Sequence, residues 1–218
     1  MPSTFQIIAD ALPVLFQGLL ITLKIVVISL AIAFVIGLIA GLMSTASSKI
    51  VRGIAGLYVD IIRGTPLLVQ VFFIYFGLPA FLDIRIGPEV AGIAAVSLNA
   101  GAYIAEVVRA GINSVDKGQV EAARSLGMSR YYTMRLIVLP QALRRMIPAF
   151  VNQFIISIKD TSLLSVIGIR ELTQSGEIII STNFRSFEIW GMVGVFYFVI
   201  IFALTRLSRL YERRLTAR

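Results

Sequence analysis

The chain contains no cysteine and no histidine. Their absence excludes thiol catalysis, disulfide cross-links, imidazole proton shuttling and nearly all zinc chemistry, and no metal site or catalytic set replaces them. Charge is scarce too. Only 15% of the 218 residues are Asp, Glu, Lys or Arg, against roughly a quarter in ordinary soluble domains. No Gly-x4-Gly-Lys-Ser/Thr phosphate loop occurs, so any ATP must be bound by another polypeptide. No Ser-, Gly- or Pro-rich linker separates a second module, and residues 1–218 read as one domain.

What is present is apolar, 57% of the chain, with a mean hydropathy of +0.88. The apolar residues come in blocks too long for a soluble helical core, which points to an integral membrane protein. The net charge of +8 does not indicate nucleic acid, because basic residues flank the apolar blocks and do not cluster with aromatics. Met1 to Gly18 lacks a basic start and carries Asp10, so it is expected to be mature structure and not a cleaved signal.

Five spans are predicted: Leu12–Met43, Ile54–Leu82, Pro88–Ile112, Pro140–Ile158 and Ile189–Leu207. The first is too long for one upright crossing and should tilt or begin along the interface. The second should be broken at Gly64-Thr65-Pro66, where proline removes a backbone donor and kinks the helix. Ser162–Ile180 is semi-apolar and is expected to fold back at the far surface. Basic residues gather in three regions: Lys49 and Arg52; Lys117, Arg124, Arg130, Arg135, Arg144 and Arg145; and Arg206, Arg209, Arg213, Arg214 and Arg218. With five spans these fall on one side, placing the N-terminus outside and the C-terminus in the cytoplasm.

A polar insert, about residues 114–145, separates the third and fourth spans. Gln119 to Leu126 can form a short helix with Val120, Ala123 and Leu126 along one face. Gly127 suits a tight corner, Ser129 the N-cap of a second short helix, and Pro140 the first turn of the next span. Small Ala122 and Ala123 would let a partner approach. Patterning alone leaves two readings open, a docking element and a basic amphipathic loop lying on headgroups.

The spacing Glu121-Ala122-Ala123, three residues, Gly127, nine residues, Ile137-x-Leu139-Pro140 resembles the coupling motif of ABC-importer permeases. Arg63 to Gln70, Ala102 to Glu106, Arg109 to Ile112 and Lys159 to Leu163 are similar to the polar amino-acid branch of that family, the MetI-like or HisMQ-type binding-protein-dependent transporters. The likeness covers roughly residues 10 to 215. It implies an all-α, five-helix, MetI-like type I importer permease in the bacterial inner membrane. It also implies partners: a dimer of ATP-binding subunits that hold ATP and Mg, an extracytoplasmic solute-binding protein, and a second permease, identical or similar. Glu121, Ala122, Ala123, Ser125, Leu126, Gly127 and Pro140 are the implied coupling residues.

Polar groups inside spans are costly and mark cavities or helix contacts. Gln70, Asn99, Tyr103 and Asp160, with Thr65 and Leu67 at the kink and Thr161 and Ser162 after Asp160, are the expected substrate contacts. Asp160 can serve as counter-charge to an amino or cationic group, or as half of a structural ion pair. Glu106 with Arg109, and Asp60 with Arg63, read as structural pairs three residues apart. Asn99 and Gln70 suit pore lining or interhelical hydrogen bonding equally. An aspartate in a dry pocket favours basic amino acids, arginine, lysine or histidine, as cargo; glutamine is the runner-up. An ion-gradient carrier would need its own coupling-ion site, and an intramembrane Ser–Lys hydrolase is disfavoured because Ser157 and Lys159 lie on different helix faces.

Overall fold

A long apolar stretch forms a single first helix, α1 (Thr4–Ser44), continuous through Pro13, in the computed structural model, which describes the backbone of residues 4–216 and the side chains of residues 5–210. At 41 residues it is about 60 Å long, well beyond the hydrocarbon thickness of a bilayer. Ser48 caps α2 (Lys49–Arg63) by accepting a hydrogen bond from the Val51 N–H.

The second predicted span is broken at the expected tripeptide, by more than a kink. α2 and α3 (Leu67–Leu82) meet at 102°. Pro66 adopts an extended conformation (ψ 140°), and the residue before a proline is pushed out of the helical region, so the helix ends and restarts. α2 buries Ala55 and Val59 while Ile54, Leu57 and Ile61 stay exposed.

α4 (Pro88–Asn113) is the central helix and packs along α1. Close approach is possible because α1 carries Gly37 and Gly41 there. A Cβ on Gly41 would lie 2.6 Å from Val108 Cβ, and one on Gly37 would collide with Ile104. Small residues four apart are how membrane helices gain dispersion contact without a hydrophobic drive.

After the short α5 (Lys117–Ser125), one continuous helix, α6, runs from Arg130 to Ile167, ending in a 3-10 stretch from Thr161. The second short helix expected after Ser129 is therefore only the first turn of α6. Pro140 does not start a span; it stands inside this helix, just after a π-turn at Met134–Val138. α3 repeats the device, with a π-turn at Phe73–Gly77 before Pro79. A proline lacks the N–H donor and crowds the carbonyl four residues back; the wider turn relieves both.

Gly168, at φ +79°, turns the chain into α7 (Leu172–Asn183), which packs back against α1, and α8 (Ser186–Thr216) closes the bundle. Phe198, Val199 and Phe202 of α8 face outward. Among the described residues four helices are long and apolar enough to cross a membrane, or five spans if the bent α2–α3 pair counts as one. The side chains of Arg213, Arg214 and Arg218 lie outside the described residues.

Candidate functional site

The α2–α3 break opens a cavity of about 500 Å³. Arg63, Thr65 and Leu67 line it from the break, Asn99 and Tyr103 from α4, and Gln153, Ile156 and Asp160 from α6. Gln70 fixes its shape from behind. The Gln70 amide donates to Ile62 O (2.7 Å), Thr65 O (3.1 Å) and Thr65 Oγ1 (2.9 Å), and its oxygen accepts from Asn99 Nδ2 (3.1 Å). One side chain thus satisfies carbonyls that the interrupted helix frees and aligns Asn99 on the cavity wall.

The wall carries one acid and one base, Asp160 and Arg63, among neutral amides and a phenol. The Arg63 guanidinium sits 5.3 Å from the Tyr103 ring centroid and 3.8 Å from Glu106 Oε2. None of the ion pairs among the described residues includes Asp160.

Five of the eight expected substrate contacts, Thr65, Leu67, Asn99, Tyr103 and Asp160, meet at this cavity. Gln70, Thr161 and Ser162 do not line it. Thr161 is buried with its hydroxyl on Ile158 O (2.7 Å), and the Ser162 hydroxyl donates to Lys159 O (2.6 Å). The Glu106–Arg109 pair forms, with Arg109 Nε 3.0 Å from Glu106 Oε2. The Asp60–Arg63 pair does not: Arg63 is the last residue of α2, and its side chain reaches across to α4. Sequence reasoning missed Arg63, Gln153 and Ile156 as wall residues, although a glutamine within a span was a visible signal.

A second buried polar site was also missed. Glu171, fully buried, caps α7 by accepting from Gln174 N–H (2.7 Å) and accepts from Tyr197 Oη (3.0 Å), beside Thr22 Oγ1 at 3.5 Å. Burial pushes its carboxyl above the ordinary 4.5, against the pull of its N–H and Tyr197 donors.

The predicted coupling segment is braced as well as bent. Asp116 caps α5 at Gly118 N–H (2.7 Å). Its other end closes with Gly127 in the left-handed region (φ +84°), Gly127 N–H on Arg124 O (3.0 Å) and Met128 N–H on Ala123 O (3.1 Å), a Schellman turn. Ser129 then accepts from Tyr132 N–H (3.3 Å), as an N-cap should. Glu121, Ala122, Ser125 and Leu126 are exposed, Leu126 at 84%, whereas Ala123 is buried. The expected Val120–Ala123–Leu126 face is therefore split, and Ala123 is small because the rest of the chain covers it. Gln119 Oε1 accepts from Gln141 Nε2, Arg145 donates to Ser114 O, and Arg130 reaches Ser47 Oγ (3.4 Å), fixing the segment to α6, to the end of α4 and to the α1–α2 loop.

Residues 33–217 match the family described as binding-protein-dependent transport system inner membrane component. The chain is 49% identical over 216 residues to the glutamine transport system permease protein GlnP of Escherichia coli (strain K12), covering 99% of each chain. It is 36% identical over 211 residues to the arginine transport system permease protein ArtQ of Bacillus subtilis (strain 168), covering 97% of this chain and 96% of that one. A solved amino acid ABC transporter with histidines matches with a TM-score of 0.93 at 41% identity, over 98% of this chain and 100% of that chain. The inward-facing MetNI methionine ABC transporter matches with a TM-score of 0.77 over 94% of this chain and 97% of that chain; at 20% identity this is a likeness of fold.

Proposed function

The chain belongs to the inner-membrane components of binding-protein-dependent transport systems, as a multi-pass permease of an amino-acid ABC importer, and from that premise we propose that its cargo is glutamine, held in the cavity at the α2–α3 break. The permease is not itself an ATPase and carries no cofactor; its family works with ATP-binding subunits and a binding protein.

The observation that carries the cargo reading is the charge balance of the wall. Asp160 matches an α-ammonium; Arg63, 3.8 Å from Glu106 Oε2, has further guanidinium donors for an α-carboxylate; and Asn99 and Gln153, each with one amide hydrogen bond to a neighbour, have capacity left for a side-chain amide. A lysine or arginine side chain would bring a further positive charge with no second wall carboxylate to meet it, and an unmatched charge in a desolvated site is costly. The identity to a glutamine permease supports the same order, reversing the preference for basic cargo drawn from Asp160 alone.

α6 supplies the mechanics. It carries the coupling bend's exit at Arg130 and Asp160 at the far end, roughly 45 Å along one helix at 1.5 Å per residue. Closure of the ATP-binding pair against the exposed α5 surface, with Leu126 at its tip, tilts α6 and moves the cavity wall. The exchange is driven only if the partner contacts the two states differently. In this proposal the chain makes five crossings, with α2–α3 as the broken one, and pairs with a second permease. The coupling segment faces the cytoplasm, the N-terminus outside. The Arg130–Ser47 contact supports that orientation by joining two of the basic regions on one side.

The test is ATP-driven uptake by the reconstituted importer with its binding protein, glutamine competing against arginine. Preferential glutamine uptake is expected; preferential arginine uptake would overturn the charge-balance reading.

A further inference from the structure

A second cavity, also about 500 Å³, lies behind α5 and shares no lining residue with the first. Its floor is apolar, including Val115, Val120 and Met134, while its rim carries Lys117, Arg124 and Arg130 against the single carboxylate of Glu121. None of these three cations has a carboxylate partner among the ion pairs of the described residues. Arg124 spends one N–H on Met128 O (2.6 Å) and Arg130 one on Ser47 Oγ (3.4 Å), which leaves most of each guanidinium's five donors for something else.

The cavity opens where α4 ends at Asn113, the limit of that apolar span, so its mouth lies where the apolar span gives way to polar chain. A cationic rim over an apolar floor, at the end of an apolar span, suits a phosphodiester for the guanidiniums, with glycerol and the first methylenes against the floor. Free phosphate would satisfy the rim and leave the floor wet. We propose that this cavity binds the headgroup region of an anionic phospholipid and that the lipid braces the coupling segment against α4 and α6.

Native mass spectrometry of the intact permease–ATPase complex, prepared from membranes containing both phosphatidylglycerol and phosphatidylcholine, tests this. The wild type should retain phosphatidylglycerol preferentially. Lys117→Ala, Arg124→Ala and Arg130→Ala should each weaken that retention roughly fivefold, the effect of one cation near an anionic surface. A control that removes the exposed Arg85 and Arg209, neither of which lines the cavity, should leave it unchanged. Val120→Phe, which fills the floor with every cation kept, should also expel the lipid. The proposal is overturned if the rim variants or Val120→Phe retain phosphatidylglycerol as the wild type does, or if the control loses it equally. Displacement by excess inorganic phosphate would overturn it as well, since the site would then read a free anion. So would retention seen only after the ATPase is stripped away, because the ATPase itself would then fill the cavity.

Discussion

Asp160 and Arg63 carry the cargo reading at the scale of single residues. If Asp160 holds the α-ammonium, a group shared by all amino acids, Asp160→Asn should reduce glutamine and arginine uptake alike. The loss of one charge-assisted hydrogen bond corresponds to roughly ten- to a hundredfold. A loss confined to arginine would mean that Asp160 reads the side chain instead. Glu171 makes a different prediction. Its carboxyl is raised above the unfolded value, so its contribution to stability is full below the ordinary carboxylate range and is lost as pH rises through the raised value. The melting temperature in detergent should therefore fall over that interval, and Glu171→Gln should flatten the slope; an unchanged slope would assign it to other groups. Neither Arg63 nor Glu171 was readable as it stands. The spacing of Asp60 and Arg63 offers a pair within α2, yet Arg63 reaches instead to Glu106 on α4. Glu171 and Thr22 are 149 residues apart, and no local pattern joins them.

At the scale of elements, the proposed coupling rests on a bend. Gly127 holds the Schellman turn at a φ that a β-branched side chain resists by about 1–2 kcal/mol. Gly127→Val should leave insertion intact while lowering ATP-driven uptake and co-purification with the ATPase; wild-type values for both would remove the corner from the mechanism. Gly41→Leu should overpack α1 against Val108 and cost about 1–3 kcal/mol, read as a lower melting temperature of the purified protein. The corner, its Ser129 cap and the apolar stretches were legible because each rests on neighbours in sequence. The glycine pair of α1 was equally visible, but it has meaning only once α4 is known to be the helix pressed against it. The continuity of α6 was hidden by Pro140, which reads as a start when the compensating π-turn cannot be seen.

For the whole molecule, the natural absence of cysteine makes topology directly measurable. A single cysteine at exposed Ser125 should react with an impermeant reagent only after the cells are opened, and one at exposed Ser181 should react in intact cells. The opposite pattern would put the coupling segment out of reach of any ATP-hydrolysing partner, and the transport mechanism would fail with it.

Hydropathy, the scarcity of charge and the spacing from Glu121 to Pro140 are properties of composition and of short intervals, so the sequence alone determined a helical membrane protein with a bent polar insert between two spans. Which polar side chains share a wall was decided by tertiary structure. The 102° break leaves Arg63, the last residue of α2, beside the same cavity as Asp160, ninety-seven residues later, and no periodicity along the chain encodes an angle between helices.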